Sequence, residues 1–444
     1  MSRRVVVVGL GVTGEAVARR LGEQGDDVVV VEDHPGDEAR RHAATLGVEL
    51  VEGPDAGAAT ALVRTADLVV PSPGVAEGHP VLAAARAAGV PARSEIELGW
   101  SWTDRPIVAV TGTNGKSTVT TMATDMLVAS GRRAVAAGNI GLPLVDAVHG
   151  DAEVLVVEVS SFQLQLTERF RPRVAVWLNV AEDHLDWHPD LDAYVAAKAR
   201  IWANQGEGDL AVVNADDPVV MKQAASAPAA VTTFGLAGAD YHVDDGALRT
   251  PAGAVVCPLD GLWRAFPHDL ANALAAVAAV LGVGGTLDGA RRALEAFSGL
   301  PHRIELVGEA GGVRWYDDSK ATDPHAVLAA VGNFSSVVLL AGGRSKGSDV
   351  AVLRAAGPHL RAVVAIGEAA AEVTRALGDL CPVTVASSMD EAVGQAAAAA
   401  RPGDVVLLSP GGSSFDWYRS YAERGDDFRR AFLEQVGGRR AHQD

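Results

Sequence analysis

Positive charge and cysteine are both scarce in this 444-residue chain. Lys and Arg total 38 against 56 Asp and Glu, which leaves a formal net charge of −18. No basic run interrupts this balance, so we expect neither nucleic acid nor an anionic membrane as a partner. The two cysteines, Cys257 and Cys381, lie in no CxxC or zinc-ligand spacing. This pattern predicts free structural thiols in a reducing compartment.

Apolar runs long enough to cross a membrane are also lacking. The first run, Val5 to Val8, ends at a glycine and is too short for the core of a signal peptide. The longest apolar window, 271–283, is too short to span a bilayer and predicts a buried helix. We therefore expect a cytoplasmic protein without membrane insertion.

Strand-like apolar runs alternate with helix-length Ala-rich segments along almost the whole chain, for example RVVVV, DDVVVVE, RPIVAV and AEVLVVEV. Continuous Val/Ile/Leu runs are typical of strands buried on both faces, so the fold class is predicted to be α/β with mainly parallel sheets. Turn-rich residues between Tyr241 and Val256 predict a β-hairpin insertion. We place three domains at 1–93, 94–300 and 301–444, the last boundary at the GLPHR segment.

The stretch TGTNGKST joins a strand-like run to a helix-like segment. Amides of the loop can surround an oxyanion, Lys116 adds positive charge, and the following helix contributes its positive end. Ser117 or Thr118 can offer a hydroxyl to Mg²⁺. The stretch departs from the general Walker pattern because Val110 stands where its first glycine belongs. It predicts a phosphate-binding loop of a narrower kind.

A second glycine-rich turn, GLGVTG, spans Gly9 to Gly14, and Glu32 and Asp33 close the next strand. This pattern is compatible with a nicotinamide dinucleotide site. The block of about 93 residues is short for a two-half dinucleotide domain. It suits a single nucleotide diphosphate at the helix N-terminus better, and a tight turn without ligand stays open.

Polar side chains follow two later strands of the middle block. Glu158 ends the strand AEVLVVEV, where a carboxylate downstream of a phosphate loop predicts a Mg²⁺ ligand. His184, in LNVAEDHLDWH, is either a structural histidine or a ligand of metal or substrate. Lys198 lies on a helix, and the residue pattern alone does not distinguish it from a solvated lysine.

Three polar loops follow strands of the third block: YDDSKATDPHA, GGRSKGSD and SPGGSSFDWY. Carboxyl ends of parallel strands meet at one sheet edge, which is the usual ligand position in an open α/β sheet. Asp323 and Pro324 predict a helix start that also favours an anion.

Seven motifs taken together resemble the Mur ligase family: TGTNGKST, EVSSFQL, DHLDWH, YVAAKARI, PHRIE, DDSKATDP and LSPGGSSFD. They cover all three blocks in order. The resemblance implies an ATP-dependent ligase of peptidoglycan precursor synthesis, and we expect a monomer. Such an enzyme adds D-glutamate to UDP-N-acetylmuramoyl-L-alanine through an acyl phosphate. It also implies a Rossmann-like first domain, a P-loop ATPase-like central domain and a Rossmann-like third domain.

The resemblance also assigns roles to individual residues. Lys116, His184 and Lys198 are the implied catalytic residues, and Lys198 is expected to carry a carbamate formed from CO₂, which requires a transiently neutral amine. The implied metal ligands are Ser117, Glu158, His184 and this carbamate. The implied ATP contacts are Gly112, Thr113, Asn114, Gly115, Lys116, Ser117, Thr118, Asn272, Arg303, Asp318 and Lys320. The implied contacts of the UDP substrate are Val12, Thr13, Gly14, Asp33, Ser72, Asn139 and His184, and those of D-glutamate are Thr322, Lys346, Ser414 and Tyr421.

Two positions depart from the family pattern. His268 and Asp269 stand where His-Asn is commoner, and Tyr421 stands where Phe is commoner. Two alternatives stay open. Folylpolyglutamate synthase also joins glutamate to a carboxylate but lacks a UDP-binding first block, and a non-catalytic nucleotide-binding regulator would not need all of these motifs together.

Overall fold

The computed structural model describes residues 2–184, 187–345 and 349–436. The chain forms two compact units. The first comprises Met1–Val180 and Asp192–Phe297, and the second comprises Ala181–Leu191 and Ser298–Asp444. None of the helices in the described part of the chain combines the length and apolarity needed to cross a bilayer.

The first unit begins with a four-stranded parallel sheet in the order β3-β2-β1-β4. Residues 5–8 are at most 2 % exposed, because helices cover both faces of the sheet. Its strands are β1 (Arg4–Val8), β2 (Asp27–Glu32), β3 (Glu49–Glu52) and β4 (Leu68–Pro71), and its helices are α1 (Val12–Glu23), α2 (Asp37–Leu46), α3 (Ala56–Val63) and α4 (Pro80–Ala88). The sheet therefore has the size of one mononucleotide-binding half rather than two.

The rest of the first unit is built on a six-stranded parallel sheet in the order β10-β9-β8-β5-β7-β6. The sheet strands are β5 (Ile107–Thr111), β6 (Ala134–Gly138), β7 (Val154–Glu158), β8 (Val174–Trp177), β9 (Leu210–Asn214) and β10 (Ala230–Phe234). The helices are α5 (Glu95–Ser101), α6 (Lys116–Ala129), α7 (Leu144–Ala147), α8 (Ser161–Gln165), α9 (Leu191–Ala199), α10 (Pro218–Ala224), α11 (Pro267–Gly282) and α12 (Leu287–Ala296).

An antiparallel three-stranded sheet lies between α10 and α11 in the chain. Its strands are β11 (His242–Asp244), β12 (Ala247–Arg249) and β13 (Val255–Pro258). The hairpin predicted from the turn-rich sequence is thus confirmed and extended by one strand.

The two sheets of the first unit are joined by a shared core and by ion pairs. Leu98 and Val145 belong to the apolar cluster under the four-stranded sheet. Arg19 donates to Asp146 at 2.6 Å, and Arg20 donates to the same carboxylate at 2.7 Å. These contacts hold α7 of the second sheet against α1 of the first.

The second unit carries a six-stranded sheet in the order β14-β15-β19-β16-β17-β18, in which only β14 is antiparallel to its neighbour. Its strands are β14 (Glu305–Ala310), β15 (Val313–Asp317), β16 (Val337–Gly342), β17 (Leu360–Ile366), β18 (Val383–Ala386) and β19 (Val405–Gly411). Its helices are α13 (Pro324–Val331), α14 (Ala370–Leu377), α15 (Met389–Ala399), α16 (Tyr421–Gln435) and a 3₁₀ segment at Val350–His359. The α/β class with mainly parallel sheets is confirmed.

Candidate active site

The glycine-rich loop leaves the carboxyl end of β5 and enters α6, as its sequence predicts. Gly115 caps α6 in the left-handed region, with φ 87°. A Cβ at this position would lie 2.5 Å from Oδ1 of Asn272, so only glycine fits. The close approach places Asn272, predicted to contact ATP, directly beside the loop.

Asn179, at the end of the neighbouring strand β8, holds the loop in shape. Its Oδ1 accepts from the Asn114 amide at 2.8 Å, and its Nδ2 donates to the Asn114 carbonyl at 3.0 Å. The Thr113 amide donates to the Asn179 carbonyl at 3.1 Å. The sequence pattern did not single out Asn179, although an asparagine two residues after a buried strand was the available signal.

Two lysines converge on one carbonyl oxygen of the loop. Lys116 Nζ donates to the Gly112 carbonyl at 2.8 Å and to the Thr113 carbonyl at 2.8 Å. Lys198 Nζ, on a side chain only 1 % exposed, donates to the same Gly112 oxygen at 2.8 Å. Like charges this close make an anionic group between them, or the loss of one charge, favourable.

Lys198 therefore lies in the interior and not on a solvated helix face. Its Nζ lies 4.4 Å from the centre of the Tyr194 ring, and the Tyr194 hydroxyl is 3.1 Å from Thr113 Oγ1. Tyr194 was not singled out by the sequence.

Glu158 lies on the opposite side of the loop from Asn179. It ends β7 and pairs in register with Val110 of β5, two residues before Gly112. Its Oε1 accepts from Asn139 Nδ2 at 2.8 Å, which brings together two predicted site residues. Its Oε2 is buried and has no hydrogen-bond partner among the described residues. A buried carboxylate oxygen of this kind fits a cation, because burial without a partner is costly.

The first sheet brings the predicted nucleotide residues to one edge. A Cβ on Gly14 would meet the Gly9 carbonyl oxygen at 1.9 Å, so the glycine lets α1 approach β1. Ser72 Oγ donates to that same carbonyl at 3.1 Å. Asp33 pairs with His79 Nε2 at 3.1 Å, Thr13 is half-buried, and Val12 is 76 % exposed.

In the second unit the three predicted loops follow the adjacent strands β15, β19 and β16. Asp318 is 1 % exposed, and its carboxylate accepts from Ser409 Oγ at 2.8 Å. Burial raises the pKa of Asp318 to about 7, while Arg303, with Nη1 at 4.0 Å, acts in the opposite direction. These two predicted ATP contacts are neighbours.

The remaining predicted residues of this unit lie around the same loops. Lys320 Nζ lies 5.6 Å from the centre of the Tyr421 ring, and Ser319 Oγ donates to the Tyr421 carbonyl at 2.8 Å. Ser414 is 3 % exposed, and Thr322 is half-buried. Lys346 falls outside the described residues.

Arg424 was missed by the sequence analysis and ties these loops together. Its Nε donates to Ser319 Oγ at 2.9 Å, and its Nη1 donates to the Gly412 carbonyl at 3.1 Å. Burial lowers its pKa to about 10. An arginine inside the last helix carries no sequence signal that separates it from its solvated neighbours.

His184 belongs to the second compact unit. Its backbone is in the left-handed region, with φ 56°, and its amide donates to Asp183 Oδ1 at 2.9 Å. Its Nε2 lies 3.3 Å from Asp183 Oδ2. Asp183 thus contributes to the orientation of this imidazole.

A glycine-rich phosphate loop with a lysine, beside a buried strand-end carboxylate in a parallel sheet, defines an α/β nucleotide-binding enzyme. Comparison with known proteins narrows this class. Residues 3–94 match the Mur ligase MurD-like N-terminal domain, 110–280 the Mur ligase middle domain, and 302–412 the Mur ligase glutamate ligase domain. The chain belongs to the Mur ligase family.

Full-length relatives support the same family assignment. The chain is 43% identical to a protein of Desulfosudis oleivorans named UDP-N-acetylmuramoylalanine–D-glutamate ligase, over 97% of this chain and 96% of that one. It is 44% identical to a protein of the same name from Frankia casuarinae, over 98% and 94%. The MurF ligase of Thermotoga maritima, solved with ADP, has a similar fold, with TM-score 0.62, 19% identity, and coverage of 99% and 96%.

Proposed function

We propose that this protein is an ATP-dependent ligase that adds D-glutamate to UDP-N-acetylmuramoyl-L-alanine, in peptidoglycan precursor synthesis. The substrates are those in the names of the relatives that are more than 40% identical over nearly the whole chain. The observation that carries the proposal is the convergence of Lys116 and Lys198 on the phosphate loop. We place the reaction in the cytoplasm, and we expect a monomer.

The domain limits 1–93, 94–300 and 301–444 are part of the proposal. Each of the three family matches, at 3–94, 110–280 and 302–412, falls within one of these domains to within one residue. We assign UDP to the first domain, at Val12, Thr13, Gly14, Asp33 and Ser72, with Asn139 of the second domain contacting the muramoyl part.

ATP is assigned to the loop Gly112–Thr118, with Asn272 beside it and Arg303, Asp318 and Lys320 in the third domain. The alanyl carboxylate oxygen attacks the γ-phosphorus, the bond to the β-phosphate oxygen breaks, and ADP leaves. Lys116 stabilises the charge that spreads over the transferred phosphoryl oxygens. The products of this step are an acyl phosphate and ADP.

The amine of D-glutamate then attacks the acyl carbon, and inorganic phosphate leaves as the amide forms. Thr322, Lys346, Ser414 and Tyr421 are the proposed D-glutamate contacts. The amine must arrive without its extra proton, and His184, oriented by Asp183, is the proposed acceptor.

Mg²⁺ fits the buried oxygen of Glu158, with Ser117, His184 and a carbamate on Lys198 as the further proposed ligands. When bound, it would neutralise phosphate charge. The carbamate supplies an anion where two lysines share one carbonyl oxygen. Incubation with ¹³C-bicarbonate should give a carbamate carbon signal in NMR that Lys198→Ala lacks. A signal that is unchanged in the variant would remove this assignment.

ADP release coupled to UDP-N-acetylmuramoyl-L-alanine, measured with D- and with L-glutamate, tests the function. We expect turnover with D-glutamate only, and none when either substrate is omitted. ADP release independent of both substrates would indicate a different activity. Turnover with L-glutamate and a folate in place of the UDP substrate would instead favour the folylpolyglutamate synthase alternative.

A further inference from the structure

A cavity of about 470 Å³ lies at the amino edge of the six-stranded sheet of the first unit. Its walls come from the segment Trp100–Ile107, from Arg169, Arg171 and Arg173, and from Asp209. Ile107 begins β5, whereas the phosphate loop leaves the other end of that strand. Five strand residues span about 17 Å, so the cavity is separate from the phosphate loop.

Three of the arginines that line the cavity come from one short segment of the chain. Phe170 and Pro172 are buried, while Arg169, Arg171 and Arg173 between and around them are exposed. All three arginines line the cavity, which we call the arginine pocket.

The backbone of this segment is held rigidly by the neighbouring helix α5. The carboxylate of Glu97, 6 % exposed, accepts from the amides of Arg169 at 2.9 Å and Phe170 at 3.0 Å. Trp100 Nε1 donates to the Arg171 carbonyl at 3.2 Å. The backbone that carries the arginines is thus preorganised, which lowers the cost of binding a ligand.

Asp209 orients two of the three arginines. Its side chain is 6 % exposed, and its Oδ2 accepts from Arg171 Nε at 2.6 Å, while Arg173 Nη1 lies 3.6 Å from its Oδ1. Arg169 makes no side-chain hydrogen bond or ion pair with any residue in the described ranges. The exposed guanidinium of Arg169 is therefore available to a ligand.

The arginine pocket is net positive, whereas the whole chain is net negative. Arg105 donates to the carbonyls of Gly150 at 3.0 Å and Ala152 at 2.7 Å, which leave its positive charge uncompensated. Four arginines thus face two lining carboxylates, Asp104 and Asp209. In a chain with a net charge of −18, a net positive cavity of this kind selects anions.

We propose that the arginine pocket binds a polyphosphate, either free or carried by a nucleoside. Planar guanidinium groups match phosphate oxygens in paired hydrogen bonds, and several of them in one cavity suit an anion with several phosphates. The cavity volume falls within the range of small-molecule sites. The site is independent of the phosphate loop and of the proposed ligase reaction.

Isothermal titration of inorganic tripolyphosphate into the full-length protein, without Mg²⁺ and at low salt, tests the proposal. We expect two classes of site, one lost in Lys116→Met and the other weakened at least tenfold in Arg169→Ser/Arg173→Ser. The double variant Arg169→Lys/Arg173→Lys, which keeps charge but not the paired geometry, should fall between. Arg41→Ser/Arg64→Ser removes the same charge from exposed positions elsewhere and should change nothing.

Titration of ADP into the Lys116→Met variant distinguishes the two sources. If ADP competes with tripolyphosphate, the ligand is carried by a nucleoside. If ADP does not compete, the ligand is free polyphosphate. The proposal is overturned if the pocket double variant binds like wild type, or if the control double variant loses as much affinity. It is also overturned if an acidic peptide binds the pocket and tripolyphosphate does not. Far-ultraviolet circular dichroism verifies that each variant is folded.

Discussion

Glu95 offers a direct test of the energetics at the junction of the two sheets in the first unit. It begins α5 and is 1 % exposed. Its Oε1 accepts from Gln163 Nε2 at 3.2 Å and its Oε2 from the Val145 amide at 3.4 Å. Burial, with a smaller contribution from Asp146, raises its pKa to about 7, and the hydrogen bonds only partly oppose this rise.

The sign of the pH effect follows from this direction. In the unfolded chain a glutamate has a pKa near 4.5, so between about pH 4.5 and 7 the folded state holds a proton that the unfolded state has lost. Folding stability therefore falls as pH rises through this window and stays low above it. The difference between the folded and unfolded pKa values of Glu95 corresponds to about 3 kcal/mol.

The variant Glu95→Gln cannot ionise, so it should lose this part of the pH dependence. We expect its unfolding free energy, relative to wild type, to improve by about 3 kcal/mol between pH 4.5 and pH 8. For a unit of this size that is about 6 °C in melting temperature. Differential scanning calorimetry at both pH values gives the comparison, in which other titrating groups cancel.

Glu97→Gln is the matched control, since that carboxylate accepts from three backbone amides, at residues 168, 169 and 170. Here an amide NH₂ would face donors, so we expect destabilisation of about 1–3 kcal/mol at both pH values. If Glu95→Gln kept the pH slope of wild type, Glu95 would be charged in the folded protein and the reasoning would be wrong.

Three further substitutions test the sites. Glu158→Gln keeps a group able to contact Asn139 but removes the charge. We expect at least a hundredfold loss of ADP release, a weaker Mg²⁺ dependence and no fall in melting temperature, because the unpaired buried charge is removed. Full activity would contradict the metal assignment. Gly425→Ala places a Cβ 2.2 Å from His302 Nδ1, so calorimetry should show an unfolding free energy lower by about 1–3 kcal/mol. The control Gly394→Ala, also in a helix, should be neutral or slightly stabilising. In Gly14→Ala the added Cβ would lie 1.9 Å from the Gly9 carbonyl oxygen, so we expect weaker UDP binding in titration. In the control Gly11→Ala the added Cβ has nothing within 4 Å, so the fold should stay intact. Equal melting temperatures and UDP affinities for the two variants would show that α1 adjusts.

Much of the fold could be predicted because its signals are local. Continuous Val-rich runs such as Val5–Val8 and 107–110 became buried parallel strands, since a strand covered on both faces needs no polar side chains. The phosphate loop could be located from glycines at a strand–helix junction. These features depend on neighbours in the chain.

The supporting residues could not be found in this way. Asn179 and Arg424 act by satisfying backbone atoms of loops that are distant in sequence, and Glu97 does the same for the segment at 168–170. An Asn, Arg or Glu in an ordinary helix or loop looks solvated until the contacts are known. Lys198 shows the same limit, because only tertiary packing buries it to 1 % exposure.

Asp269 stands where the family more often has Asn, and its charge is balanced by a neighbouring arginine. Its carboxylate, with a side chain 3 % exposed, accepts from Arg264 Nη2 at 2.9 Å and Nε at 2.5 Å. A carboxylate–guanidinium pair has the same net charge as a neutral amide, so the acid is acceptable here only together with the arginine.

Asp269→Asn should therefore cost about 3 kcal/mol of unfolding free energy, because it removes the negative charge that pairs with a mostly buried guanidinium. Arg264→Met/Asp269→Asn should recover part of that loss. A double-mutant cycle by urea unfolding measures the coupling, which we expect to exceed about 1 kcal/mol. Additive losses, within about 0.5 kcal/mol, would mean that the two residues are independent and that the departure has another cause.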